Sequence, residues 1–206
     1  MPVQDYTTYT EYNEVHDPLA VTATLITASD LDREHDHYVY RDFGVGALGN
    51  LTYELETQVT AGNHSLAFGG IWGIANLVDD WSGWVGSPAL FWYWNPYGNG
   101  PQVRLQASSQ DDSVGLAVST MYYVRIVRAG TTCTAYVYSD AARTTLVDSM
   151  SVACSGDAYR YLYAAFNVEA NQPVRQISYT VGHLTLEEAT PLPVIMGHYR
   201  RLRCLI

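Results

Sequence analysis

The chain has 206 residues, a formal net charge of −10 and a hydrophobic fraction of 48%. That apolar content is enough for one domain with a substantial core, and it argues against a disordered chain. No lysine is present, so all 11 basic residues are arginines. Nucleic acid is not an expected partner, because phosphate binding needs clustered positive charge that the body of the chain lacks.

The N-terminal segment carries no recognisable targeting signal. Met1–Asp5 is polar and lacks the charged and apolar regions of a signal peptide. No apolar run approaches the length of a membrane span. We therefore expect no membrane partner. The expected location is a virion or an extracellular surface, with no signal peptide in this chain.

Short runs of β-branched and aromatic residues alternate with turn signals along the chain, and no amphipathic helix is predicted. Such spacing is typical of an all-β sandwich. Period-two alternation supports it: Val124 and Ile126 share one face, and Leu162, Ala164 and Phe166 oppose Tyr161 and Tyr163. The predicted strands are Tyr6–Glu11, Val21–Thr27, His37–Arg41, Leu51–Val59, Ser65–Ile71, Ala89–Trp94, Gln102–Gln106, Tyr122–Arg128, Thr132–Tyr138, Leu146–Ala153, Arg160–Phe166 and Ile177–Leu186.

The hairpin around residues 139–144 has a register that the apolar pattern predicts. Pairing Val137 with Met150 places Ala135 opposite Val152 and Cys133 opposite Cys154, so every pair is apolar and on one face. The two cysteines could then form a cross-strand disulfide or remain buried thiols, since Cys also behaves as a small hydrophobic residue.

Composition changes after Glu188. Thr190–Pro193 contains two prolines and is typical of an extended linker. We therefore predict a sandwich over residues 1–188 and a linker with a C-terminal interaction tail over 189–206. The tail residues expected to bind a partner are Ile195, Met196, Tyr199, Arg200, Arg201 and Arg203.

Several segments resemble one group of concanavalin A-like domains from phage, other prokaryotic virus and metagenomic sequences. The similar segments are 6–11, 21–27, 38–44, 123–140 and 160–164, of which 123–132 is the most specific. The resemblance implies an all-β, two-sheet antiparallel jelly roll with a concave face. This scaffold serves sugar binding, glycan cleavage and structural packing, and the fold alone does not choose among them.

Glycan-cleaving relatives of this fold carry paired acids on one strand, and Glu54 and Glu56 are the nearest match here. Hydrolysis needs one carboxylate as acid and a second as nucleophile or base. Gln58 stands where a third acid would follow. The competing interpretation is two solvated glutamates on an outer strand face, so these residues are only weak catalytic candidates.

Two acidic or histidine-rich segments could bind metal. Asp79 and Asp80 are candidate calcium ligands, since calcium prefers hard oxygen donors, but no cofactor is expected to be required. Residues 34–37 alternate acid and histidine, but a structural zinc site usually needs four ligands. We therefore favour a solvated loop for that segment.

One region is dense in aromatic residues. Rings that stack on sugar faces, mixed with side chains that bond their hydroxyls, would suit glycan recognition. Core packing or a protein interface would use the same residue types. The predicted ligand-binding residues are Trp81, Trp84, Trp92, Trp94, Tyr97 and Asn95.

Three hypotheses follow. The first is a non-enzymatic structural or decoration protein of a virion or cell surface, which assembles with copies of itself or with another surface protein through the sandwich and its tail. The second is a lectin-like module that binds glycans. The third is a retaining glycosidase using Glu54 and Glu56.

Overall fold

A computed structural model describes residues 2–14, 17–64, 67–79, 84, 86–94, 100–107, 110–167 and 172–188. Within these residues a short 3₁₀ turn, Tyr6–Thr8, precedes fourteen strands. The strands are β1 (Thr10–Asn13), β2 (Leu19–Val21), β3 (Leu25–Arg33), β4 (His37–Asp42), β5 (Leu51–Gly62), β6 (Phe68–Ala75), β7 (Ala89–Trp94), β8 (Pro101–Ala107), β9 (Gln110–Gly115), β10 (Tyr122–Ala129), β11 (Thr132–Tyr138), β12 (Leu146–Ala153), β13 (Tyr161–Asn167) and β14 (Gln172–Glu188).

The strands form two antiparallel seven-stranded sheets. The first sheet has the order β1-β4-β13-β6-β7-β8-β9, and the second has the order β12-β11-β10-β5-β14-β3-β2. Half of the twelve neighbouring pairs join strands that are not consecutive in sequence, which is the arrangement of a jelly roll rather than of a simple meander. The predicted all-β, two-sheet antiparallel sandwich is confirmed. No helix in the described residues is long and apolar enough to cross a membrane.

Alternating side chains of both sheets meet in one core. On β5, Tyr53, Leu55 and Val59 are buried, whereas residues 52, 56 and 58 are partly exposed. Val124 and Ile126 enter the same core from β10, as the alternation predicts. Strand β9 was not predicted, because the segment Gln110–Gly115 is polar and mostly exposed.

Tyr179 makes polar contacts that connect the sheets across this core. The Tyr179 hydroxyl, on β14, donates toward the carbonyl oxygens of Gly70 (2.8 Å) and Phe166 (3.2 Å) in the first sheet. Both strands have a register shift nearby, between Gly70 and Trp72 where β6 pairs with β7, and between Tyr163 and Ala165 where β13 pairs with β4. A β-bulge disrupts the regular ladder locally, and the Tyr179 hydroxyl supplies a hydrogen bond at this place.

The bulge on β13 corrects one predicted face. Leu162 and Ala164 face the core, as expected. Phe166, however, packs with Tyr163 on the outer side of the first sheet. The register shifts between Tyr163 and Ala165, and one extra residue moves the following side chains to the opposite face.

The predicted hairpin register is also wrong, by two residues. Ala135 lies opposite Met150 and Cys133 opposite Val152. Cys133 and Cys154 are free thiols, and burial raises the pKa of Cys133. The register is set by the loop, in which the Asp140 carboxylate accepts hydrogen bonds from the backbone of Thr144 and Thr145.

Candidate functional site

Trp92 is a core residue, and its predicted role in ligand binding is wrong. It is fully buried between the sheets, and its indole nitrogen donates a 2.9 Å hydrogen bond to Oγ1 of Thr57 in the second sheet. A buried indole normally finds such a partner. No face of this ring is available to a sugar.

Trp84 is also buried, with 5% of its surface exposed, so stacking of its ring on a sugar is not supported. It lies on the outer side of the first sheet, 4.1 Å from the Tyr163 ring and 4.8 Å from the Phe166 ring, centroid to centroid. Gly73 makes room for it: a Cβ there would lie 2.6 Å from the indole. Of the other predicted ligand-binding groups, Trp81, Asn95, Tyr97 and the Trp94 side chain lie outside the described residues.

The outer side of the first sheet carries a row of tyrosines, which we call the tyrosine face: Tyr12, Tyr38, Tyr40, Tyr161 and Tyr163. The Tyr12 and Tyr38 rings are stacked at 4.9 Å, and the Tyr40 and Tyr163 rings at 5.7 Å. Tyr38 and Tyr163 are buried. Tyr12 is 44% exposed, and Tyr40 and Tyr161 are half-buried, so the face presents rings to solvent above a packed layer of other rings.

Register places these tyrosines together. Tyr12 lies opposite Tyr38 in the pairing of β1 with β4, and Tyr40 lies opposite Tyr163 in the pairing of β4 with β13. Residues directly opposite each other on antiparallel strands point to the same side of the sheet. The alternation Tyr38-Val39-Tyr40 keeps Val39 in the core and both tyrosines outside.

A loop is fixed on top of this face through the Tyr163 hydroxyl. The hydroxyl donates to the carbonyl of Leu77 (3.0 Å) and accepts from the backbone N–H of Asp79 (3.3 Å). The Trp84 indole nitrogen donates to the carbonyl of Asp79 (3.0 Å). Burial raises the pKa of Tyr163, so its proton is retained for this bond.

Beside the loop is a pocket of about 250 Å³. Its lining residues come from the segments after β6 and before β13, and they are Asn76, Leu77, Trp84, Ser87, Ser155, Asp157 and Tyr159. Tyr159 is held in place by a 2.9 Å hydrogen bond from its hydroxyl to the carbonyl of Gly86. The lining thus combines hydroxyl, amide and carboxylate groups with two aromatic rings.

Charged groups border the tyrosine face. Arg160 forms a bidentate ion pair with Asp42, and its guanidinium lies 4.9 Å from the centre of the Tyr161 ring. The hydrogen bond from Arg160 lowers the pKa of Asp42 to about 2. Burial, with nearby Tyr12 and Asp36, raises the pKa of Tyr38 to about 12. At neutral pH the face therefore offers neutral hydroxyls beside fixed charges.

The two catalytic candidates, Glu54 and Glu56, lie on the second sheet, away from the tyrosine face. Oε1 of Glu54 accepts from Nε of Arg125 at 2.7 Å, and Oε2 is 3.5 Å from the guanidinium of Arg143. Glu56 lies 3.5 Å from the imidazole of His183. Both oxygens of Glu54 thus contact arginines. Glu54 is buried, so the interpretation of two solvated glutamates on an outer strand face is wrong for this residue.

The predicted calcium ligands are only partly described. Asp79 is exposed on the loop over the tyrosine face, and Asp80 lies outside the described residues, so calcium there stays a prediction. Among described residues, Asp32, His35 and His37 bring ligand atoms within 4.8 Å of one another. His37 is buried and begins β4, so the expectation of a solvated loop over 34–37 is wrong for His37, whereas residues 34–36 form the turn and Glu34 is exposed.

Sequence reasoning missed the tyrosine face and Asp32. A signal for the face was present, since Tyr38-Val39-Tyr40 and Tyr161-Leu162-Tyr163 each place two tyrosines on one side of a strand. Their adjacency depends on a pairing between segments far apart in the chain. The predicted tail residues, Ile195, Met196, Tyr199, Arg200, Arg201 and Arg203, lie outside the described residues.

Comparison with known proteins relates this chain to others by structure alone. No protein-family model matches it, and no curated protein matches it by sequence. A functionally unknown protein from Saccharomyces cerevisiae superposes with a TM-score of 0.61 at 13% identity, covering 91% of this chain and 100% of that one.

Two further solved structures have known ligands or activities. The Ca²⁺- and Man2-bound exoplasmic/lumenal domain of VIP36 has a TM-score of 0.54 at 10% identity, covering 92% of this chain and 89% of that one. The alginate lyase AlgAT5, of polysaccharide lyase family 7, has a TM-score of 0.51 at 11% identity, covering 88% and 84%. At these identities the likeness concerns architecture, and the chain therefore has the concanavalin A-like jelly-roll fold.

Proposed function

We propose that this chain is a carbohydrate-binding, lectin-like module and that its tyrosine face contacts the glycan. The observation that carries the proposal is that one sheet face brings together the exposed ring of Tyr12 and the half-buried rings of Tyr40 and Tyr161. The rings beneath them are packed and hydrogen-bonded, so the surface is ordered before a ligand arrives. Such preorganisation lowers the entropic cost of binding.

The chemistry of the surroundings suits a sugar. Apolar C–H faces of a pyranose can lie on tyrosine rings, while hydroxyls bond to carboxylate, amide and hydroxyl groups. Asp79 borders the face, and the neighbouring pocket adds Asn76 and Asp157. Binding pockets commonly combine aromatic walls with a few convergent polar groups. The glycan-bound VIP36 domain of the same fold adds support.

We propose further that the module binds without cleaving. The paired carboxylates Glu54 and Glu56 lie on the other sheet, and arginines engage both oxygens of Glu54. A glycosidase needs two carboxylates that can reach the same glycosidic bond. Incubation with mannan or alginate should release no new reducing ends. Release that Glu54→Gln abolishes would instead make the chain a glycan-cleaving enzyme.

Binding should depend on the exposed rings. Tyr12→Ala and Tyr161→Ala should each weaken retention on mannan or alginate in affinity electrophoresis. Loss of one aromatic contact costs roughly 1 kcal/mol, about fivefold in Kd. The double variant should lose more. These two polysaccharides are chosen because solved relatives of the fold carry a mannose ligand or act on alginate.

Tyr136→Ala is the matched control. Tyr136 is a half-buried tyrosine of β11, on the second sheet, so its loss should not change retention. The proposal fails if the wild-type chain binds neither polysaccharide nor any glycan on an array, with and without Ca²⁺. It also fails if Tyr136→Ala weakens binding as much as Tyr12→Ala.

A second candidate is the structural or decoration role on a virion or cell surface. One observation favours it: Leu146 and Val147, at the start of edge strand β12, are 52% and 44% exposed. An edge strand with apolar side chains is suited to strand addition by a neighbouring chain. The predicted tail is the segment of this chain that we propose for that contact.

A further inference from the structure

Asp32, His35 and His37 lie where strands of the first and second sheets converge. Asp32 is near the end of β3, and His37 begins β4. One ligand atom from each of the three side chains lies within 4.8 Å of the others. His37 is fully buried and Asp32 is 5% exposed, whereas the His35 side chain, on the turn, is 24% exposed, so the cluster lies at the base of the turn and solvent reaches it at His35.

The backbone that carries the cluster is held by side chains from other strands. The His37 N–H donates to Oδ1 of Asn167 on β13 (3.1 Å), and the Asn167 amide donates to the carbonyl of His35. The Asp36 N–H donates to the Glu14 carboxylate at 3.0 Å. Oδ1 of Asp32 accepts from the backbone of Glu34 and His35. The turn between β3 and β4 is therefore fixed from several sides.

The tautomer of His37 follows from Asn13. The Asn13 amide nitrogen donates to carboxylates of Glu11 (2.6 Å) and Asp17 (3.2 Å). Its oxygen, Oδ1, is thereby turned toward Nδ1 of His37, 3.1 Å away. An amide oxygen only accepts, so Nδ1 carries a proton, and in the neutral imidazole Nε2 then carries the lone pair.

This arrangement matches the surroundings of metal-bound histidines. A ligating imidazole almost always donates its other N–H to an oxygen that fixes the tautomer and the ring orientation. Nδ1 of His35 lies 3.4 Å from Oδ1 of Asp32. That is close to the roughly 3.3 Å expected between two ligands about 2.0 Å from a tetrahedral ion.

From this geometry we propose that Asp32, His35 and His37 form a binding site for a divalent first-row transition metal ion of the Zn²⁺ class. Two imidazole nitrogens and one carboxylate suit zinc and its neighbours, whereas calcium takes oxygen ligands almost exclusively. With three protein ligands, water completes the coordination. The ion would join the end of β3 to the start of β4 beside the tyrosine face, and the site is independent of glycan binding.

The experiment uses the full chain after chelator treatment and dialysis. Titration with ZnCl₂ by calorimetry should give one equivalent bound, and Co²⁺ should give the visible absorption bands of a nitrogen- and oxygen-ligated ion. Zn²⁺ should also raise Tm, since a ligand that binds the folded state stabilises it by mass action. An excess of CaCl₂ should not displace Zn²⁺.

Two variants test the ligands. Asp32→Asn and His35→Ala should each weaken Zn²⁺ binding at least tenfold and remove the rise in Tm. His183→Ala is the control, because this exposed histidine lies beside Glu56 on the second sheet, and its Zn²⁺ affinity should equal that of the wild type. Circular dichroism of the metal-free variants checks that they are folded.

The proposal is overturned if folded wild-type protein binds no Zn²⁺ or Co²⁺, which would leave a buried polar cluster of purely structural function. It is also overturned if His35→Ala binds Zn²⁺ as tightly as the wild type. Equal loss of binding in His183→Ala would place the ion elsewhere.

Discussion

Tyr179 is fully buried on β14, and its hydroxyl reaches the opposite sheet. The sequence contains 17 tyrosines, and no local pattern distinguishes Tyr179 as the one that links the two sheets. Its role depends on two carbonyls of β6 and β13 that lie near register shifts in the first sheet. A buried carbonyl without a hydrogen bond costs about 1–3 kcal/mol.

Tyr179→Phe should therefore destabilise the fold by about 1–2 kcal/mol, because it removes the hydroxyl while keeping the ring. Urea unfolding followed by tryptophan fluorescence measures this change as a lower midpoint with an unchanged m value. Tyr136→Phe, at a half-buried position of the second sheet, is the control and should be neutral. Equal midpoints for both variants would contradict the structural role of the Tyr179 hydroxyl.

Arg128 illustrates a further limit of reasoning at the residue scale. Alternation on β10 places Arg125 outside and Val124 and Ile126 inside, as observed. Arg128 follows the same alternation and is buried, although it is charged, and its guanidinium donates to four backbone carbonyls, those of Leu48, Gly49, Ser155 and Asp157. The loops that supply these carbonyls are distant in sequence, so no pattern within β10 could predict the contact.

At the scale of the strand, the position of β6 depends on two glycines, because a side chain at either of them would collide with a neighbouring ring. A Cβ on Gly70 would lie 2.1 Å from the Phe166 ring, and one on Gly69 would lie 2.3 Å from Tyr179. Phe166 in turn supports Trp84 at 4.8 Å. The glycines of β6 thus allow the close packing beneath the tyrosine face.

Gly70→Ala should cost roughly 1–3 kcal/mol through overpacking and should lower glycan retention, because Phe166 and Trp84 must shift. Gly115→Ala is the matched control: Gly115 ends β9, and a Cβ there meets nothing within 4 Å. Thermal unfolding of both variants measures the difference. If Gly70→Ala melts at the same temperature as Gly115→Ala, the close contact with Phe166 does not constrain the strand.

Strand positions followed from the sequence better than strand register did. The bounds of β7, β11 and β12 were predicted as observed, because apolar alternation is a local property. The register of β11 against β12 was predicted two residues away from its observed position. Apolar pairing alone favours the predicted register, since the observed one places Val137 opposite Asp148, but the hydrogen-bonded loop at Asp140 sets the observed register.

At the scale of the whole molecule, the acidic sandwich and the arginine-containing tail are expected to meet in an assembly. A truncated chain that ends at Glu188 should then have a lower oligomeric mass than the full chain by light scattering. Charge complementarity would set the orientation of the contact. Full-length protein should therefore dissociate as ionic strength rises, since salt screens such contacts.

Glycan binding by the full-length and truncated chains is the control for this prediction. Both must bind mannan or alginate equally well, because the tyrosine face lies entirely within residues 12–163. A monomer in both cases would contradict the assembly role and leave the glycan-binding proposal unaffected. An oligomer that survives truncation would instead place the contact on the sandwich.

The sequence by itself determined the fold class, most strand positions and the inward-facing residues of β5 and β10, because alternation and turn chemistry act over a few neighbouring residues. Only the tertiary structure decided which tyrosines share a face, that Trp92 is core and that Asp32 joins His35 and His37. Those outcomes depend on bulges, loop hydrogen bonds and pairings between distant strands. The contacts that stabilise these arrangements join residues far apart in the chain, and no local pattern contains them. The candidate sites can therefore be identified only from the assembled sheets.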